Sequence, residues 1–217
     1  MATLAPRSCW LSLPLVSSLL VGAGFGCGPS VDGYGHPTWM WGRQMEWLLH
    51  VTEAPISPGS LSNVVGHLER DRRDPSFSVP AGAIPDGSWD GIFDKMWRLR
   101  DTSDFDAVRI IDLLYGYRGH PAAGEASWAA AEQALFDFKY WYTDHTPERI
   151  VDGLQVVDQM WYWSENHVLL FRVNEYLAGQ RHPDRTFSVT GMNGAQHMAR
   201  ARPEILRWIE ERSRWGF

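Results

Sequence analysis

Cysteine is nearly absent from this sequence, since its 217 residues contain only Cys9 and Cys27. Cys9 lies in an apolar leader, so that cleavage of the leader leaves Cys27 as the single thiol. One thiol can form neither an internal disulfide nor a thiolate zinc cluster, which needs several cysteines. We therefore expect a domain stabilised by its hydrophobic core, for which the roughly 190 residues after the leader are sufficient.

Basic charge is also scarce, and the recognisable cofactor motifs are missing. The chain has 20 Lys and Arg against 26 Asp and Glu, which gives a net charge of −6. An acidic chain of this kind lacks the basic patch of a nucleic-acid-binding protein. The eight histidines lack helical metal spacing, and neither a calcium loop, a phosphate loop, a nucleophile elbow nor a dinucleotide fingerprint occurs. We expect no metal, no other cofactor and no nucleic-acid partner.

The first 26 residues have the pattern of an export signal. Arg7 supplies a positive start, and residues 9–26 carry no charge. The stretch 21–30 resembles a bacterial lipobox, although Gly24 and Phe25 replace the usual leucine and small residue before the cysteine. The pattern predicts lipid attachment at Cys27, a membrane anchor and an exported protein of the cell envelope or the extracellular space. The alternative is an ordinary signal peptide, with Cys27 as a free thiol.

Three segments follow from composition and periodicity. Residues 1–26 form a lipoprotein-type signal peptide, residues 27–37 a flexible linker rich in Gly and Pro, and residues 38–217 a helical domain. Apolar spacing is helical almost throughout this domain, so we expect an all-α fold of consecutive helical hairpins. The chain ends in the apolar run from Trp215 to Phe217, which predicts truncation at the C-terminus; a natural terminus packed into the core is the alternative.

Caps and apolar periodicity place the individual helices. The sequence predicts Asp104 as a helix cap. One apolar stripe runs from Trp128 to Tyr142. A cap at Thr146 followed by proline predicts one short helix before Gly153. The remaining predicted helices are 38–51, 60–72, 88–100, about 104–116, 125–142, 164–178 (closed by Gly179) and 194–215, the last bent or restarted at Pro203.

The densest group of chemically versatile side chains lies around residues 160–174. Three consecutive aromatic residues, Trp161, Tyr162 and Trp163, lead into a helix start at Ser164. Along that helix, His167 and Asn174 share a side with Trp163 and Phe171, because they recur at spacings of three and four. An adjacent apolar stripe contains Leu170, Val173 and Leu177. The candidate catalytic residues are Asn166, His167, Glu165 and Tyr162, and the candidate substrate-binding residues are Trp161, Trp163 and Asn174.

Structural roles for the same residues remain open. Ser164 suits an N-cap, Glu165 is favoured in a first turn, and Asn166 and His167 can simply satisfy buried hydrogen bonds. The N-terminal turn of this helix also favours an anion, so a substrate carboxylate fits near Ser164. Most of the twelve tryptophans must be core. Trp161 and Trp163 are the better candidates for stacking on sugar rings.

The run from Trp161 to His167, together with residues 175–180 and the Ile205 to Trp208 segment, resembles a family of largely uncharacterised secreted bacterial proteins. Their helical pairs are similar to the alpha/alpha toroids of six-hairpin glycosidases and polysaccharide lyases. The resemblance implies that this chain is part of an incomplete toroid. It also implies that Asn166 and His167 neutralise and deprotonate a uronic acid, with Tyr162 as the acid.

Two further functions stay open at this point. A glycoside hydrolase would use Glu165 with a second carboxylate such as Asp158, because hydrolysis needs two carboxylates across the bond. A non-catalytic surface lipoprotein would instead use the aromatic segment to bind a glycan or a protein partner.

Overall fold

The computed structural model describes residues 38–216, and within them the predicted all-α class is confirmed. The predictions for the signal peptide, the linker and Cys27 lie outside the described residues. The chain divides into two units, 1–42 and 43–217, and all that follows concerns the second apart from the start of α1. The elements are α1 (Thr38–Val51), α2 (Leu61–Arg73), α3 (Asp90–Trp97), α4 (Ser103–Tyr117), α5 (Glu125–Phe136), β1 (Ile150–Val151), β2 (Leu154–Gln155), α6 (Glu165–Arg181) and α7 (Gly194–Trp215).

Helix α4 lies at the centre of the described helices, where it packs against α2, α3, α5 and α6. It buries aliphatic side chains on more than one side, including Ile110, Ile111 and Leu114. Helix α5 contributes Trp128 and Leu135, of which Trp128 is 1% exposed. A helix that is apolar on several sides lies in the interior of a domain. The start of α4 is accordingly buried, including Ser103 and Asp104.

The predicted helix 125–142 is wrong beyond Phe136, where the chain becomes irregular. Phe138, Lys139 and Tyr140 are all buried, at 1%, 3% and 0% exposure. Three consecutive residues cannot all face the same side of a helix, so an irregular path serves this segment better. The short helix predicted after Pro147 is also wrong, because the chain forms the antiparallel hairpin β1–β2 instead.

Two helix starts differ from the predictions. Ser88 does not cap α3, since its hydroxyl donates to the carbonyl of Pro85 and the helix begins at Asp90. Asp104 is not a cap either: Thr102 holds that position, and Asp104 is a buried residue of the first turn of α4. By contrast, Ser60 caps α2 as predicted, accepting a hydrogen bond from the backbone N–H of Asn63.

Helices α6 and α7 form the most extensively packed pair of described elements. Gly179 does not close α6, which continues to Arg181, but lies where the two helices approach closely. Helix α7 begins with the capping box of Asn193 and Gln196 and continues through Pro203. The predicted apolar stripe of Leu170, Val173 and Leu177 is only half-buried. The inward face of α6 is formed instead by Phe171, Arg172, Asn174, Glu175, Ala178 and Gly179. Among the described helices, none is long and apolar enough to cross a membrane.

Candidate functional site

His167 and Asp104 form a close pair between the first turns of α6 and α4. The imidazole Nδ1 lies 2.8 Å from Asp104 Oδ2. Because an ionised carboxylate can only accept hydrogen bonds, Nδ1 is the donor and carries the proton. In the neutral imidazole, the second nitrogen, Nε2, is then unprotonated. The arrangement thus fixes the tautomer in which Nε2 can accept a proton.

Asp104 is held in place by burial and by its neighbours. Its side chain is 1% exposed, and the amide of Asn174 donates to its backbone carbonyl at 2.8 Å. Burial raises the pKa of the Asp104 carboxyl above its ordinary value, although the charge and the hydrogen bond of His167 oppose this shift. Phe105 packs edge-on against the imidazole, with ring centroids 5.2 Å apart. Asp104, Phe105 and Asn174 therefore orient His167.

The second nitrogen of His167 is unpaired among the described residues. Nε2 makes no hydrogen bond to any residue between 38 and 216, and the side chain is 12% exposed. An oriented imidazole with one unprotonated and unpaired nitrogen has the geometry of a general base. Asp104 stabilises the imidazolium that forms when Nε2 takes up a proton, as a buried carboxylate does for a catalytic histidine.

Tyr162 lies close to the same region but is engaged elsewhere. Its hydroxyl donates to Asp158 Oδ2 at 3.1 Å, and the same oxygen accepts from the buried Lys139 ammonium at 2.7 Å. Its ring stacks on Phe171, one helical turn beyond His167, with centroids 4.6 Å apart. Burial, followed by the charge of Asp158 and nearby carboxylates, raises the pKa of Tyr162 far above its usual range. Tyr162 therefore remains neutral and serves first as a hydrogen-bond donor.

The other candidate catalytic residues occupy different places. Glu165 is paired with α7, where it accepts from Trp208 Nε1 at 2.9 Å and forms an ion pair with Arg212. Asn166 is exposed and accepts from the Ser164 hydroxyl at 2.7 Å, which leaves its amide nitrogen free to donate. The site thus brings His167 and Asn174 together with Asp104, whereas the contacts of Glu165 point toward α7.

The start of α6 is not capped by a side chain. Ser164 precedes the helix with an extended backbone, but it makes no capping hydrogen bond. The first intrahelical bond runs from the N–H of Val168 to the carbonyl of Ser164. The N–H groups of Glu165, Asn166 and His167 therefore keep their donor capacity, at the positive end of the helix dipole. An anion is favoured at the helix end that carries His167.

Trp161 and Trp163 are exposed beside this helix end. They are 44% and 68% exposed, and their ring centroids lie 4.2 Å apart. Tyr142 is 61% exposed, and the centroid of its ring lies 6.3 Å from that of Tyr162. Trp161 and Trp163 thus form a pair of exposed indole rings, which we call the aromatic platform (Trp161, Trp163).

A second polar cluster lies deeper between α6 and α7, and no sequence pattern predicted it. Glu175, which is fully buried, accepts from His197 Nδ1 at 2.9 Å and from Arg200 Nε at 2.5 Å. It also pairs with Arg172 at 2.9 Å. The other nitrogen of His197 is bonded to the Thr190 hydroxyl at 2.8 Å. Because both nitrogens are engaged and the imidazole is buried, this cluster joins helices and leaves no open base.

Within residues 38–216, no group of three or more His, Cys, Asp and Glu side chains is arranged to hold a metal ion. No protein-family model matches the chain, and no curated protein or solved structure is similar enough to match it.

Proposed function

We propose that this protein is an exported carbohydrate-active enzyme that cleaves a uronic-acid polysaccharide by elimination. The observation that carries the proposal is the pair of Asp104 Oδ2 and His167 Nδ1, 2.8 Å apart, which leaves Nε2 open. Elimination needs a group that can take up a proton from carbon, and the unprotonated Nε2 of an oriented imidazole can accept one. The Trp161–His167 segment resembles secreted bacterial proteins whose helical pairs are similar to those of toroidal lyases, which is compatible with the same reaction.

In this reaction Nε2 of His167 removes the proton on the sugar carbon next to the carboxylate. The electron pair then forms the new carbon–carbon double bond as the bond to the leaving glycosidic oxygen breaks. That oxygen takes a proton, either from solvent or from Tyr162 once its hydroxyl turns from Asp158. Asp104 holds the imidazolium until the proton returns to solvent.

The start of α6 is where we place the substrate carboxylate. The three free N–H groups of its first turn and the free amide of Asn166 are donors at the helix end that carries His167. Negative charge builds on the carboxylate as the proton leaves, so these donors stabilise the transition state more than the ground state. The neighbouring sugar rings would stack on the aromatic platform.

The test is an assay of the full chain on a panel of uronic-acid polymers, followed by ultraviolet absorbance of the unsaturated product. We expect wild type to form this product and His167→Gln to lose it by about 10²- to 10⁴-fold, the usual contribution of a general base. His145→Gln, a change at an exposed histidine, is the matched control and should keep the wild-type rate. Formation of new reducing ends without unsaturation would reject elimination in favour of hydrolysis through Glu165 and Asp158.

Non-catalytic glycan binding is the second candidate, and the exposure of Trp161 and Trp163 favours it. In that case, neither unsaturated products nor reducing ends form. Pull-down on the same polymers should then be lost in Trp163→Ala and kept in His167→Gln. If the wild-type protein binds none of the polymers and cleaves none, both candidates fail.

Export and lipidation at Cys27 are part of the proposal, supported by the uncharged leader after Arg7. Mass spectrometry of the mature N-terminus should find an acylated Cys27. An unmodified mature N-terminus at another residue would instead indicate a secreted protein without a lipid anchor, and the proposed reaction would be unaffected.

A further inference from the structure

A groove of about 330 Å³ lies between α3 and α5, and it shares no lining residue with the His167 site. Its apolar lining comes from Phe93 and Trp97 of α3 and from Ala130 and Ala134 of α5. Phe93 and Ala134 are half-buried, and Trp97 is 37% exposed. The small side chains of Ala130 and Ala134 leave space on this side of α5, and the rings of Phe93 and Trp97 form the opposite wall. The result is an open apolar channel.

Negative charge surrounds the channel. Asp90, Asp94 and Asp137 line it, and none of its lining residues is basic. Asp94 is paired with Arg98 at 2.7 Å on its own helix. Asp90 has no side-chain hydrogen bond or ion pair with the described residues, which leaves its charge uncompensated.

The side-chain carboxylate of Asp137 has no ion pair with the described residues. Its hydrogen bonds come from the amide of Gln133 at 2.9 Å and the hydroxyl of Ser188 at 2.6 Å, which are both uncharged donors. Burial lowers the pKa of the nearby Arg149 guanidinium, and the charge of Asp137 opposes that shift. The channel therefore presents an excess of carboxylate around apolar walls.

We propose that this groove binds a basic peptide segment of a partner protein, with an arginine or lysine stem along Phe93 and Ala134 and its charged end near Asp90 and Asp137. Long basic side chains suit such a place, because their methylene stems bury against apolar surface while their ends stay near carboxylates. The chain's own Arg149 guanidinium lies 4.9 Å from the centre of the Trp97 ring, so this ring already accepts a cation on one side.

The shape of the groove favours a peptide over a small cation. Small quaternary ammonium ions are held by cages of several aromatic rings. Here only Phe93 and Trp97 contribute rings, both from one helix, and the channel is open to solvent. A peptide compensates for incomplete enclosure by making several contacts along the channel.

The test is fluorescence polarisation of the whole protein with a fluorescein-labelled peptide, Gly-Arg-Leu-Arg-Gly, and with its counterpart in which Gln replaces each Arg. We expect saturable binding of the Arg peptide only. Binding should weaken in ~1 M salt, where exposed charges are screened beyond about 3 Å. Asp90→Asn should weaken it about two- to fivefold, the usual scale for one exposed charge pair.

Ala134→Phe, which fills the channel without changing charge, should weaken binding at least about tenfold. Asp184→Asn removes one exposed carboxylate outside the groove and should leave the affinity unchanged. Equal losses in Asp90→Asn and Asp184→Asn would overturn the proposal, since binding would then follow net charge. Full competition by tetramethylammonium would overturn it in favour of a small cation, and equal binding of the Gln peptide would reject charge recognition.

Discussion

The close approach of α6 and α7 at Gly179 and Gly194 makes a quantitative prediction for Gly179→Ala. A Cβ at residue 179 would lie closer than 3.0 Å to the carbonyl oxygen of Gly194, and 3.2 Å from Met198 Cγ. The side chain of Met198 can move, but the Gly194 carbonyl belongs to the first turn of α7. Normal contact between nonbonded atoms needs about 3.5 Å, so the two helices must separate by roughly half an ångström or more.

The magnitude follows from two opposing effects. Overpacking of a close contact costs about 1–3 kcal/mol. Replacing a glycine inside a helix by alanine recovers about 0.5–1 kcal/mol. The net expectation is a loss of about 1–2 kcal/mol in the free energy of unfolding. For a protein of this size, each kcal/mol corresponds to about 2–4 °C, so Tm should fall by about 2–8 °C.

The assay is thermal unfolding followed by circular dichroism, with Gly116→Ala as the matched control. Gly116 lies in α4, and a Cβ there would meet nothing within 4 Å. The control should therefore keep the wild-type Tm or exceed it slightly. If Gly179→Ala and Gly116→Ala shift Tm equally, the close approach of the two helices is not the constraint that we infer.

Three further predictions concern buried polar groups. Burial alone would raise the pKa of Glu69, but hydrogen bonds from two arginines and a tyrosine lower this pKa from 4.5 to about 2. The ionised Glu69 carboxylate therefore stabilises the fold above pH 4.5, by at most ~3 kcal/mol. In urea unfolding, the stability difference between wild type and Glu69→Gln should shrink as pH falls from 4.5 toward 2, and a constant difference would contradict this. Glu175→Ala should cost about 3–5 kcal/mol, because it leaves the buried Arg172 and His197 without their carboxylate partner. A loss below about 1 kcal/mol would show that the cluster is not coupled. Tyr162→Phe should cost about 0.5–1.5 kcal/mol in the same assay by removing the hydrogen bond to Asp158, and an unchanged stability would refute that bond.

Sequence signals near a helix end were sufficient to predict that end where the capping residues lie within one turn of it. The bounds of α7, at 194 and 215, follow from its apolar spacing and its N-terminal residues, and the structure adds the capping box of Asn193. Ser60 likewise gives the start of α2, because its hydroxyl binds a backbone N–H three residues ahead. In both cases the stabilising partner lies within one helical turn, so the sequence contains the whole signal.

The irregular course of the chain after α5 could not be predicted from apolar periodicity. The apolar spacing of Phe138 and Tyr142 continues that of α5, yet Tyr142 is 61% exposed and Tyr140 is fully buried. Tyr140 packs against Phe187 and His197, residues far along the chain. Tertiary packing of aromatic side chains therefore overrides the helical pattern, and no local feature reveals it.

The same limit explains why Asp104 was missed as part of the site. An acidic residue at a helix start is explained by capping alone, and its partner His167 lies 63 residues later. His167 was identified because its neighbours are chemically versatile. The sequence therefore named His167 as a candidate, whereas its partner Asp104 became evident only from the packing of α4 against α6.

The most direct test of the central claim is a double-mutant cycle on the rate of unsaturated product formation with Asp104→Asn and His167→Gln. If Asp104 acts only by orienting His167 and stabilising its imidazolium, each single change lowers kcat by about 10²-fold or more. The double variant should then be no slower than His167→Gln, because the two residues work as one unit. Wild-type rates in His167→Gln, or losses that multiply in the double variant, would contradict the account.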